Sequence, residues 1–179
     1  MLNEHITNPY YYKATLDPAR GIESVYDGDT ISKMSIDLGF SMTYINSFRL
    51  YGIDTPELRT KSKIEKVKGY QARTMLRLLV EGRELRIQSI GKKGTGKYGR
   101  ILGNLFIQNG VMLDKDGNIE GVKWINAGLK LIDCGLATPY FGKTKVKDWS
   151  KDEKEIEDNE AMIQRYKHQH LQTNCYFVN

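Results

Sequence analysis

The sequence predicts an α+β fold, on three observations. Five stretches rich in Val, Ile, Thr and Tyr carry strand signals and are separated by Gly- or Asp-containing turns. A long amphipathic helix pattern sits between the third and fourth of them, and two further helical patterns follow the fifth. The order strand, strand, strand, helix, strand, strand, helix, helix suits a small, partly open, five-stranded barrel of the OB type with three helices. At 179 residues the chain has room for one domain. That domain is expected over residues 10–149, after a polar lead-in at 1–9 and ahead of a helix or tail at 150–179.

Tyr10 to Tyr26 reads as a long or bent strand, interrupted by Pro18 and Gly21. Asp27-Gly28-Asp29 then makes a tight turn, because Asp-Gly tolerates the backbone angles such turns need. Ile31 to Leu38 and Thr43 to Tyr51 are the next two strands. Period-two alternation puts Phe48 and Leu50 on one face and Arg49 and Tyr51 on the other. Residues 63–80 form the clearest helix. Ile64, Val67, Met75, Leu78 and Leu79 fall on one side, opposite Lys66, Arg73 and Arg77, with Gln71 a polar residue on the apolar face. Glu84 to Ile90 and Ile101 to Ile107 are strands flanking a glycine-rich stretch. Residues 108–122 read as a long hairpin or insertion. Trp124 to Cys134 reads as the second helix, stopped at Gly135, and residues 151–170 as a third with a thin apolar face.

Composition excludes several classes. Apolar residues at 40% and charged residues at 27% describe a chain that folds. No apolar run approaches the ~18 residues of a membrane span, so no membrane partner is expected. No export signal opens the chain, which points to a cytoplasmic or a phage- or plasmid-encoded protein unless a signal has been removed. Cys134 and Cys175 form no Cys-x-x-Cys pair. His5, His168 and His170 lie outside the patterned core, against zinc sites and His-centred triads. The net charge of +5 hides an uneven distribution. Residues 1–58 hold 4 basic and 8 acidic side chains, whereas residues 59–100 hold 13 and 3. The second block suits a polyanion, the first a cation.

Three segments carry candidate chemistry: Asp27-Gly28-Asp29-Thr30, then Arg49 to Glu57, then Lys97-Tyr98-Gly99-Arg100. Asp29, Asp54 and Glu57 lie at turns or strand ends, where carboxylates can converge on a hard cation such as Ca²⁺ or Mg²⁺. Taken alone, Asp29 is also an ordinary hairpin residue, and Thr55-Pro56-Glu57 also reads as a helix start. Arg49 and Arg100 are each explained as surface arginines or ion pairs. As a pair facing a carboxylate-bound cation, they match the needs of phosphoryl chemistry. Two look-alikes are set aside. Gly91 to Lys97 fits half a phosphate loop, but Tyr98 stands where a hydroxyl should meet Mg²⁺ and a strand follows. Asp114-Lys115-Asp116-Gly117 has its glycine too early for a calcium loop.

In this order and combination, the three segments with the later Gly135-Leu136-Ala137 helix end resemble the staphylococcal nuclease (thermonuclease) family from about Tyr10 to Phe141. The resemblance implies an OB barrel with three helices and Ca²⁺-dependent hydrolysis of DNA and RNA, single strands favoured, to 3′-phosphate products. It implies Asp29, Asp54 and the Thr55 backbone carbonyl as calcium ligands, with Asp27 an acid behind them. Glu57 matches the acid that activates water, and Arg49 and Arg100 the phosphate-binding pair. Lys97 and Tyr98 match residues near the nucleotide's terminal phosphate, and Tyr140 or Phe141 the aromatic that stacks on the base. A monomer is expected. Gly96 stands where the family has an acid, which is expected to loosen that loop, and the tail from about Trp149 departs from the family's pattern. Two other readings remain: a non-catalytic OB module that binds single-stranded nucleic acid, and an accessory protein with a protein partner.

Overall fold

Closure of the barrel in this computed structural model depends on one long strand. The structure describes residues 10–90, 95–142, 144–145 and 147–174, without the side chains of Lys97 and of 170–174. The strands are β1 (Tyr11–Leu16), β2 (Thr30–Asp37), β3 (Thr43–Leu50), β4 (Ile53–Asp54), β5 (Leu85–Ser89), β6 (Ile101–Leu113), β7 (Ile119–Asn126) and β8 (Thr138–Pro139). Six of them form one sheet in the order β3-β2-β1-β5-β6-β7. Its neighbours are antiparallel. The sheet closes where the start of β6 pairs in parallel with β3, Phe48 beside Ile101 and Arg49 beside Leu102. Five strands thus make the barrel expected from the sequence, and β7 is added outside it. Residues 108–122 are the continuation of β6 into β7, a hairpin whose tip is held by Asp114.

Helix α1 (Lys63–Val80) begins at Ser62, whose hydroxyl accepts the Glu65 amide at 3.2 Å. Its Met75, Leu76 and Leu79 meet Ile31, Met34, Phe48, Leu50 and Leu105 in the barrel core, all buried. Burial of each such side chain contributes about 1.5–3 kcal/mol. Helix α2 (Ala127–Asp133) starts under an Asn126 cap and buries Ala127 and Leu131. Helix α3 (Lys154–Asn174) packs along α1. Gln71 donates to the Ile156 carbonyl at 2.8 Å and accepts from Asn159 at 3.2 Å. No helix among the described residues is long and apolar enough to cross a membrane.

Three elements differ from their sequence reading. The first strand ends at Leu16, because Asp17 turns the chain by accepting the Ala19 amide and a 3₁₀ turn at Gly21–Ser24 follows. Trp124 lies in β7 opposite Gln108, so the second helix starts three residues later; pairing in the sheet overrides local helical spacing. On α1 the buried arc is rotated. Val67 is exposed while Lys68 and Gln71 are buried, since α3 covers that side. The expectation for Gly91 to Gly94, within the phosphate-loop look-alike, falls outside the described residues.

Candidate functional site

Asp29 is placed by a turn that only a glycine permits. Tyr26 donates its amide to the Thr30 carbonyl at 2.9 Å, and Asp27 Oδ1 accepts the Asp29 amide at 3.3 Å. A Cβ on Gly28 would stand 2.6 Å from Ala72 Cβ on α1 and 3.0 Å from Thr55 Cγ2. The turn therefore presses directly against α1 and against the loop that carries Asp54 and Glu57. Asp29 is buried, and its Oδ1 accepts from Arg49 Nη1 at 2.6 Å and from the Thr30 hydroxyl at 2.8 Å. Burial, helped by the Asp27 charge, pushes its pKa up to about 7 despite Arg49 and Thr30, which pull it down.

Asp54 is placed by the short β4–β8 pairing, Ile53 against Pro139 and Asp54 against Thr138. The loop beyond it does not form a helix start. It is pinned to α1 instead: the Glu57 amide donates to Glu65 at 3.3 Å, and a Cβ on Gly69 would stand 3.0 Å from the Pro56 carbonyl oxygen. Asp54 is also buried. The Trp149 indole N–H donates to its Oδ2 at 3.4 Å. Its Oδ1 has no hydrogen bond of good geometry; the Lys145 ammonium lies 3.0 Å away as an ion pair. The same ammonium is 3.1 Å from Glu57 Oε1 on a half-exposed side chain. Partial burial pushes the Lys145 pKa down, but the two carboxylates outweigh it and hold it above the usual lysine range.

Segment 147–151 is strapped down from the far side. Lys147 lies 4.2 Å over the Trp149 ring and 2.7 Å from Glu155. Glu155 is also 2.8 Å from Lys68, whose side chain is fully buried under the strap and donates to the Lys151 carbonyl at 2.5 Å. Neither Lys145 nor Trp149 was among the sequence candidates. The signal available was a tryptophan at the edge of a charged tail, where a solvated segment has no use for one.

Arg100 ends the 3₁₀ turn that leads into β6, one residue before the part of β6 that runs beside β3 and two residues short of Leu102, Arg49's partner. Its guanidinium is 5.9 Å from the Tyr98 ring, and Tyr98 is almost fully exposed. Lys97 sits in the same 3₁₀ turn, which Asn46 ties to β3 through the Gly99 carbonyl. That turn is also closed by the Gly96 amide on the Arg100 carbonyl at 2.7 Å. Tyr140 donates its amide to the Gly52 carbonyl at 2.8 Å and is half-buried. Phe141 is the more open of the two aromatics and meets Tyr51 edge-on at 5.8 Å. Among the described residues, no three Asp, Glu, His or Cys side chains converge closely enough to hold a metal ion.

A family model described as staphylococcal nuclease homologue matches residues 47–168. The chain belongs to that family. No curated protein matches it. Within this nuclease homologue the matched span holds Arg49, Asp54, Thr55, Glu57, Arg100, Lys145 and Trp149, whereas Asp27 and Asp29 precede it. It also runs through α3 to His168, past the Phe141 limit read from the motifs. The family is one of nucleases and nucleic-acid-binding domains.

Proposed function

We propose that this nuclease homologue is a Ca²⁺-dependent phosphodiesterase that hydrolyses single-stranded DNA, with RNA as a second substrate, to 3′-phosphate products. One observation carries the reading. Two buried carboxylates, Asp29 and Asp54, sit on packed loops that touch at Gly28 and Thr55, each held by a cationic side chain, and a half-exposed Glu57 shares one of those cations.

Ca²⁺ fits this donor set. The oxygens are hard, and the buried Asp54 Oδ1 is met by the half-exposed Lys145 ammonium at 3.0 Å, a cation whose place a metal ion would take. Asp29, Asp54 and the Thr55 carbonyl would hold the ion. Bound there, it supplies positive charge that polarises a substrate phosphate. The side chains do the rest. Glu57, once released by Lys145, accepts a proton from the attacking water. Arg49 on β3 and Arg100 at the entry to the neighbouring β6 bind the phosphate oxygens as their charge grows. Phe141 offers a ring to the base, and Tyr98 with Lys97 flanks the terminal phosphate. The basic segment 59–100 steers the polymer to the acid loops.

The non-catalytic reading has one observation in its favour. Arg49 and Lys145 already neutralise the acids, as a pure binder of phosphates would require. Release of acid-soluble nucleotides from heat-denatured DNA separates the two. The phosphodiesterase releases them in CaCl₂ and not in chelator, with 3′-phosphate ends. Tight binding with no release under either condition would establish the binding module instead.

A further inference from the structure

The face of the barrel opposite the core carries a second set of groups. Along β6, Gly103, Leu105 and Ile107 are buried, so Leu102, Asn104 and Phe106 point outward. Arg49 pairs with Leu102 and shares this outward face. Gln88 and Arg86 stand opposite Asn104 and Phe106 on β5, and Tyr11 and Lys13 stand opposite Gln88 and Arg86 on β1. Phe106 is four residues beyond Leu102, about 13 Å along the strand. Starting from the phosphate site at Arg49, this face therefore leads outward across three strands.

Its side chains are ordered by one another. The Tyr11 and Phe106 rings meet at a tilt, 5.9 Å apart, and Tyr11 is 56% exposed while Phe106 is partly buried. The Arg86 guanidinium lies 4.2 Å over the Trp124 ring on β7. Gln88 donates to the Tyr11 hydroxyl at 2.5 Å and accepts from Asn104 at 2.8 Å. One feature works against the sheet. Lys13 and Arg86 are direct cross-strand partners, a like-charge pair that destabilises a ladder. Glu84 lies 3.5 Å from Arg86. Cross-strand aromatic pairing would account for the rings alone. It does not account for rings combined with two cations set side by side, which call for an anion with flat apolar faces.

We propose that the outward face of β1, β5 and β6, with Tyr11 and Phe106 as ring platforms and Lys13 and Arg86 as cations, binds the single-stranded nucleic acid that continues from the phosphate held at Arg49. The exposed Tyr11 ring, with the partly buried Phe106 ring beside it, takes stacked bases and the paired cations take backbone phosphates, a combination that tolerates any sequence. Amides of Gln88 and Asn104 offer hydrogen bonds to base edges. The inference deepens the phosphodiesterase reading and depends on it only for the polymer's identity, because the surface binds without turnover.

The test is binding by the full chain in chelator, read as fluorescence anisotropy of a labelled 20-residue oligothymidylate. Tyr11→Ala should weaken binding about tenfold, within the range of one lost base stack. The double variant Lys13→Gln/Arg86→Gln should weaken it and lower the slope of log K against log salt by about 1.4, the value for two phosphate contacts on a single strand. The double variant relieves a like-charge pair but also loses Arg86's contacts with Trp124 and Glu84. Its melting temperature is therefore read beside the single variant Lys13→Gln, which keeps both contacts and should lower the salt slope by about 0.7, so that a binding loss is told from a folding loss. Parent-like affinity and salt slope in both variants overturn the proposal. So does an equal loss on a duplex of the same length, which would mark an electrostatic patch without stacking. If the parent binds the oligomer as described but releases no nucleotide with Ca²⁺, the catalytic reading fails while this surface stands.

Discussion

Asp29 and Asp54 are both buried acids beside a positive side chain, yet they are built in different ways. Asp29 is held by near neighbours in the barrel: Asp27, Thr30 and an arginine on the adjoining strand, 20 residues away in sequence. Asp54 is held from a distance, by Lys145 and by Trp149, which lies 95 residues on. The first cation, Arg49, belongs to the sheet and stays in place. The second, Lys145, is on a strap after the last short strand and is itself half-exposed. On the proposed function, Arg49 is part of the machinery, and Lys145 keeps a place that Ca²⁺ would take.

The comparison breaks most readily at the arginine. Arg49→Ala should lower kcat on denatured DNA by about 10²–10³-fold, the worth of one electrostatic contact to a developing oxyanion. Near-parental turnover would remove Arg49, and with it the Asp29 side, from the reaction.

Titration gives the next largest effect. The Asp29 pKa is raised in the fold, so the folded state holds its proton where the unfolded chain has released it. Asp29's own contribution to stability is therefore greatest below about pH 4, is lost as pH rises from about 4 to 7, and is flat above; the change is on the order of 2–4 kcal/mol. Denaturant melts of the parent and of Asp29→Asn across this range check it. The variant should lose that slope, and Ca²⁺ should flatten it in the parent. A parent-minus-variant difference that rises between pH 4 and 7 would mean that Arg49 outweighs burial.

On the other side, Trp149→Phe keeps the ring but removes the donor to Asp54 Oδ2. It should cost about 1–2 kcal/mol of unfolding free energy, because a buried carboxylate oxygen is left without its partner. The smallest effect is expected at the strap. Lys145→Met should tighten Ca²⁺ binding by several-fold, up to about tenfold, in calorimetry, as a partly exposed ion pair no longer competes. Weaker binding in that variant would make Lys145 a support of the site and erase the contrast with Arg49.

How much of this could be read from the residues follows from how local each interaction is. The Ser62 cap came only with the structure, but helix 63–80 was legible to the residue, because its apolar spacing repeats every turn. So were the Asp27–Thr30 turn and the opposite faces of Arg49 and Phe48, since alternation along a strand needs no partner to be known. Trp124 was misplaced in a helix because its ladder with Gln108 closes across a hairpin. Lys68 was not singled out by its spacing. It is buried because Glu155 and the Lys151 carbonyl, more than eighty residues later, satisfy its charge.

The barrel, its first helix and the acid and arginine candidates thus follow from spacing, alternation and turn chemistry, which a chain carries in short windows. What holds Asp54, which side of α1 is covered, and which groups line the outward sheet face depend on contacts between distant segments. Charges such as Lys68 and Lys145 read as exposed in any short window. Only the packing of α3 and its strap against α1 supplies the partners that let one be buried and the other sit between two acids.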